Sequence, residues 1–235
     1  MVGFLPRWIS PVVWALIGAT LVVSLAAAIA ARAGVDAYAQ LALVPAEVWA
    51  GELWRLFSWP LVEASPWALV TSCAALYWFG GQLAGVWGAR RFAAFAAAIV
   101  LGAGAGTTVL ALLVRPAWAF PHLGGFAVSN ALVVAWALQF PERTIRVYGF
   151  VRVGGPALAY GTVAMTLLVA VFYSVSFILP ELLAGLGALV YMTGGLGAAR
   201  RRAWSALVQL RARQRGMRTV DGGRHGGPFR PTTDD

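Results

Sequence analysis

GELWRLFSWPLVEASPWALVTSCAALYWFGGQLAGVWGARRF, residues 51–92, carries the strongest structural signals in the chain. It opens on a Trp54-Arg55 pair and reaches Ser65-Pro66, a serine suited to cap a helix and a proline suited to its first position. A run dominated by apolar residues follows to Gly88, and Arg90 and Arg91 close it. An apolar run of ~20 residues crosses a bilayer as a helix, and a cationic pair at its end marks where the chain returns to water. The stretch predicts one membrane-crossing helix over 66–88, preceded by an amphipathic approach.

The rest of the chain agrees in composition. It is 60% hydrophobic and 11% charged, and a soluble domain needs more polar surface than that to cover its core. Several other runs approach ~20 apolar residues, without the ~10-residue alternating segments of a barrel. The expected class is therefore an all-α, polytopic membrane protein with a six-transmembrane-helix bundle. The net charge is +9, and all 18 basic residues are arginines. Half of them follow Gly197, so the charge belongs to the tail and suits anionic lipid. No recognition module accompanies it, which excludes nucleic acid as the expected partner. With Cys73 the one cysteine and two histidines in all, neither an internal disulfide nor a multi-ligand zinc site is expected, and no cofactor is called for.

Working outward, the first span is read at 11–31, between Arg7 and Arg32. Its Ala28-Ile29-Ala30 resembles a signal-peptidase site, so a cleaved signal is the competing reading; the topology downstream is the same either way. Residues 34–64 form a long connection too apolar for a water-exposed loop. Short helices in the interface are expected there, with Trp49, Trp54, Trp59 and Trp67 at headgroup depth. In the second span, Gly81 and Gly85 form a G-x-x-x-G that suits close helix packing.

The third span is read at 92–114, where Gly102, Gly104 and Gly106 suggest a tightly packed and irregular central helix. The fourth, 123–140, is short, opens at Gly124-Gly125 and ends at Pro141. The fifth and sixth are read at 156–179 and 181–199, the latter carrying Gly194-Gly195 and stopping at Arg200 to Arg202. Residues 1–199 are thus the membrane domain. Residues 200–235 are an Arg-rich tail, helical at first over 203–214 and then too rich in Gly, Pro and charge to order.

Arg7, Arg90-Arg91, the Arg143–Arg152 cluster and the tail fall on one side, against Arg115, Glu181 and the acidic connection on the other. The positive-inside rule makes the basic side cytoplasmic. The expectation is a multi-pass protein of the cell membrane, from a bacterial source, with both termini inside.

The six-helix plan, Trp54-Arg55 in the long outer connection, Gly88 to Phe92, the short fourth helix closing on Phe140-Pro141-Glu142-Arg143 and the Gly-rich sixth helix come in a set order. Over about 44–199 this pattern resembles the rhomboid family of intramembrane serine proteases. The resemblance implies a serine opening the fourth helix in Gly-x-Ser-Gly, a histidine facing it from the sixth helix, and a histidine and asparagine on the second helix that hold the oxyanion. A hydroxyl needs a base within hydrogen-bond reach to become a nucleophile, and the oxyanion needs donors already in place.

The chemical positions have changed. Anchored on Ala137 to Pro141, the motif reads Gly124-Gly125-Phe126-Ala127, so the nucleophile position is Phe126. Anchored on Gly194-Gly195, the base position is Met192, or Tyr191 or Thr193 with a one-residue slip. The oxyanion positions read Ala68 and Ser72, and the loop histidine that often precedes the second helix reads Glu63. His122 and Ser129 do not substitute. Seven residues apart, they would be separated by ~10 Å along one helix, where proton transfer needs ~3 Å. Ser129 and Asn130 suit hydrogen bonding to a neighbouring helix, and Arg55 suits an anchor on backbone carbonyls or Glu52. Glu63 suits the positive N-terminus of the second helix.

The expected function is that of a rhomboid-like integral membrane protein without the serine–histidine pair, held in a lipid bilayer and binding or regulating transmembrane clients. The alternative is an active rhomboid-type endopeptidase using Ser72, Ser129 or Ser174. A small-molecule transporter is disfavoured, because no inverted repeat and almost no intramembrane charge is visible.

Overall fold

A computed structural model describes residues 10–147 and 151–194. The first long helix, α1, runs Pro11–Arg32 with proline in its first turn. Gly34, at φ +83°, turns the chain after it. The long connection then folds into short helices α2 (Ala37–Leu41), α3 (Pro45–Trp49) and α4 (Arg55–Ser58), with a 3-10 turn over Trp59–Leu61. Asp36 starts α2 by accepting the Ala39 N–H at 3.0 Å.

The second long segment begins where Ser65 accepts the Ala68 N–H at 3.1 Å. It comprises α5 (Pro66–Ala75), a π turn (Leu76–Gly80) and α6 (Gly81–Trp87). The extra residue of a π turn shifts the facing register, and here Tyr77 meets Trp14 at 6.0 Å while Phe79 meets Trp136 at 5.5 Å. Gly88, at φ +82°, alone joins α6 to α7 (Ala89–Leu110). Next come α8 (Phe126–Gln139), an antiparallel hairpin of β1 (Thr144–Val147) and β2 (Val151–Gly154), α9 (Gly155–Phe172) and α10 (Val175–Thr193).

Among the described residues five helical segments are long and apolar enough to cross a membrane: 11–32, 66–87, 89–110, 155–172 and 175–193. The sixth apolar helix, α8, has 14 residues, about 21 Å of helix, short of a ~30 Å hydrocarbon core. It is also the enclosed one. Ala127, Ala131, Leu132, Val134, Ala135, Trp136 and Ala137 are all buried, in one core with Leu83, Phe92 and Phe95. Tyr160, Val171 and Phe172 of α9, by contrast, are exposed.

The structure departs from the sequence reading in several places. The break between the last two helices lies at Tyr173-Ser174, not at Pro180. Ser174 accepts the Phe177 N–H at 3.2 Å and starts α10, which carries Pro180 inside it. The segment 143–152, read as an arginine cluster between two spans, carries strand pairing, with Ile145 opposite Val153. The irregular helix is the second, not the third: α7 is a continuous α-helix whose Gly104 and Gly106 admit the Leu56 carbonyl and the Leu183 side chain. Gly81 is buried, but Gly85 faces open space, and the close approach belongs to Gly80 against the Phe92 ring. Trp59, read at headgroup depth, is 2% exposed. Its indole N–H donates to Leu56 and its ring lies beside Gly104. Arg7, Gly195 and the tail over 200–235, with His225, lie outside the described residues.

Candidate functional site

The head of α8 is where chemically capable groups converge. Gly124 adopts φ +104°, and a Cβ there would stand 2.8 Å from Glu63 Oε2. A Cβ on Gly125 would stand 3.1 Å from Glu63 Oε1 and 3.2 Å from Ser72 Oγ. The glycine pair is thus a notch, and the Glu63 carboxylate fills it. Oε1 accepts the Gly125 N–H at 2.7 Å and the Ser72 hydroxyl at 2.5 Å. Glu63 and Ser72 are both buried, at 5% and 3% exposure.

The supports come from several elements. Ser24 of α1 donates to the Leu61 carbonyl at 3.2 Å and accepts the Glu63 N–H at 3.0 Å. The Gly124 N–H donates to Trp59 O at 3.0 Å. Glu63 faces the N-terminus of α8, not that of α5 next to it in sequence. An anion is favoured at a helix N-terminus, where the first N–H groups lack partners and the dipole is positive. Bonds to a charged acceptor contribute ~1.5–3 kcal/mol each. In chemical terms, a carboxylate already occupies the donors that an incoming anion would use.

The other sequence-derived positions do not assemble around it. Phe126, the first residue of α8, is half exposed, and Ala68 carries no polar side-chain atom. Met192 is buried at the far end of the bundle. Its neighbour Tyr191 packs on Trp87 at 5.9 Å and on Phe95 at 5.0 Å. The Trp87 indole donates to Gln139, the last residue of α8, at 3.1 Å. Phe126 stands thirteen residues from that end, about 20 Å along the helix. The positions read for nucleophile and base, Phe126 and Met192, therefore do not face each other, and a slip to Tyr191 does not bring them together.

His122 lies before α8 and not on it. Its backbone pairs with Leu43 in both directions at 2.9 Å, tying the long connection to the segment before α8. Its ring packs on Phe120 at 5.1 Å. Burial drives its pKa down to about 4, and a backbone hydrogen bond at Phe177 opposes the shift. Asn130 donates to Thr166 of α9 at 3.2 Å, while Thr71 turns back on the Trp67 and Ala68 carbonyls.

Arg55 organises the long connection. It is 6% exposed, pairs with Glu52 at 2.6 Å and donates to the Ala42 carbonyl at 2.8 Å and to that of Ala39. A planar guanidinium reaches several acceptors at once, which an ammonium does not. Trp54 beside it is half exposed and donates to Gln40 O at 3.4 Å. Arg90 and Arg91 are exposed at the start of α7.

The Glu63 contacts were missed from sequence because Ser72 and Gly125 lie 9 and 62 residues away. The available signal was the coincidence of one acid before a span with a Gly-Gly opening another. Among the described residues no three His, Cys, Asp or Glu side chains are placed to hold a metal ion.

A family model described as eukaryotic integral membrane protein (DUF1751) matches residues 13–196. That description lends no support to the bacterial source expected from the sequence. No curated protein matches the chain.

Proposed function

The chain belongs to this family of integral membrane proteins, and from that premise we propose that it is a rhomboid-like, non-proteolytic scaffold that holds transmembrane segments of client proteins. The observation that carries the reading is the filled notch. The Gly125 N–H and the Ser72 hydroxyl are both spent on Glu63, so an acyl-transfer oxyanion at the head of α8 would find its donors taken. The nucleophile position is a phenylalanine ring, and Met192 offers no base.

The scaffold keeps what a client needs. α9 packs on α8 and leaves Tyr160, Val163 and Leu167 exposed. The polar pair Asn130–Thr166 lies in the seam between α8 and α9. A client helix laid on this flank would pack apolar side chains, with small and polar groups setting specificity. In this reading the client lies in the bilayer, the basic ends of the helices face the cytoplasm, and the arginine-rich tail contacts anionic lipid.

One observation favours the second reading, an active serine endopeptidase. The Ser72 hydroxyl is 2.5 Å from a carboxylate, a base within proton-transfer reach. A fluorophosphonate probe on the reconstituted protein separates the two. The scaffold leaves every serine unlabelled, while a photocrosslinker at position 160 captures an added apolar transmembrane peptide intact. Labelling of Ser72, lost in Glu63→Gln, overturns it.

A further inference from the structure

We propose that the strand pair β1–β2, with Arg143 before it, binds the headgroup of an anionic phospholipid that ends in a phosphomonoester. Arg143 is held in place without a counter-charge. Its guanidinium lies 4.3 Å over the Phe140 ring, and Nη1 donates to Gln82 Oε1 at 3.1 Å. The Trp136 indole N–H donates to the same oxygen at 3.1 Å, which fixes the Gln82 amide. Among the described residues Arg143 pairs with no carboxylate. Its side chain is exposed, so the donors that Gln82 does not take are open to a ligand. A planar guanidinium with free N–H groups suits the oxygens of a phosphate, which it can meet two at a time.

Two more arginines come from the strands. Arg146 and Arg152 are direct partners in the register, as Ile145 and Val153 are. Faces alternate along a strand. Ile145 packs against the buried core, so Arg146 and Arg152 belong to the opposite face of the pair, with the exposed Thr144. Like charges directly opposite each other destabilise an antiparallel pair, and an anion at this face offsets the repulsion. Arg146 stands about 10 Å of strand beyond Arg143. No Asp or Glu occurs from 143 to 154 to supply the counter-charge from within the segment.

The position along the bundle selects a lipid. The Gly155 N–H, at the start of α9, donates to the Arg143 carbonyl at 3.1 Å. α9 is long and apolar enough to cross a membrane, so Arg143 stands where hydrocarbon gives way to headgroups. The bond from Trp87 to Gln139 puts the exposed Arg90 and Arg91, just after Trp87, at the same end of the bundle. A phosphomonoester carries about −1.5 to −2 at neutral pH and so answers more of this cluster than a singly charged phosphodiester does. The arginine-rich tail attracts anionic lipid by charge alone. Arg143 adds a fixed fork, which distinguishes one headgroup from another.

The experiment is native mass spectrometry of the full-length protein, tail included, extracted from vesicles of phosphatidylcholine, phosphatidylserine and phosphatidic acid with matched acyl chains. Wild type is expected to retain phosphatidic acid in preference to phosphatidylserine. Arg143→Gln is expected to lower that preference about tenfold, the effect of losing one charge-assisted contact. Arg152→Gln, on the strand pair, gives the same direction should Arg143→Gln fail to fold. The readout is a ratio of two lipids on one folded protein, which a loss of stability alone does not move. Equal retention of the two lipids by wild type overturns the proposal. So does a preference that both folded variants keep and that disappears when residues 200–235 are removed, which would assign it to the tail. Wild type that carries a phosphate ion in place of lipid, when the vesicles are prepared in inorganic phosphate, overturns it as well.

Discussion

Glu63 Oε1 and the Gly125 N–H are 2.7 Å apart, although 62 residues separate them in the chain. This bond places the segment before the second span against the head of α8, and it turns a helix N-terminus that could receive an anion into one already occupied.

Replacing Glu63 by alanine strands two buried donors, the Gly125 N–H and the Ser72 hydroxyl. Each unpaired buried group costs ~1–3 kcal/mol. The expected loss is about 3 kcal/mol, read as a lowered unfolding midpoint in detergent, with Glu63→Gln losing roughly half as much because a neutral acceptor remains. Equal stability of Glu63→Ala and wild type would show that the carboxylate does not hold the notch.

The notch requires glycine at position 124 for two reasons, a φ of +104° and a Cβ that would stand 2.8 Å from the carboxylate. Gly34 has only the first, with φ +83° and nothing within 4 Å. Gly124→Ala should therefore destabilise by more than Gly34→Ala, about 2–3 against ~1 kcal/mol. The comparison is made by unfolding the two variants side by side, and the reverse order would contradict the packing described.

The outer helices and the deep site differ in how far sequence reveals them. Ser65-Pro66 starts a helix by local chemistry, and Ser65 caps it; hydropathy alone locates the segments at 11–32, 66–87 and 89–110. Signals of this kind act over a turn or over one span. The start of α10 is equally local, but Pro180 is the louder signal and misplaces the break that Ser174 sets. The π turn at Leu76–Gly80 has no sequence mark, since it serves the facing of Tyr77 and Phe79 toward Trp14 and Trp136. Met192 shows the limit of motif anchoring: Gly-Gly fixes a sequence register, while depth along the helix follows from packing, as of the neighbouring Tyr191 on Trp87 and Phe95.

Arg55 bonds two backbone carbonyls and Glu52, so its replacement frees the long connection. Arg55→Ala should destabilise by about 3 kcal/mol and expose residues 34–64 to limited proteolysis. Arg55→Lys should not restore protection, because one ammonium does not span the same acceptors. Full protection of Arg55→Lys would show that charge alone suffices.

His122 makes stability depend on pH. Its pKa is about 4 in the folded chain, against 6.5 for an unperturbed histidine. The unfolded chain takes up the proton first, so the neutral, buried ring contributes stability that is complete above pH 6.5 and is lost as pH falls toward 4. The full effect is at most ~3 kcal/mol. His122→Phe, which keeps a ring against Phe120, should flatten this part of the pH–stability curve. An unchanged curve in that variant would assign the acid sensitivity to carboxylates.

On the proposed reading, the filled notch leaves a membrane scaffold that holds a transmembrane segment and does not cut it. The most direct measurement places the full-length protein in vesicles with a labelled transmembrane peptide and follows the peptide by mass spectrometry. The expected result is an intact peptide that remains associated with the protein, in wild type and in Ser72→Ala alike. Two fragments that sum to the peptide plus one water, formed by wild type and absent with Ser72→Ala, would contradict it.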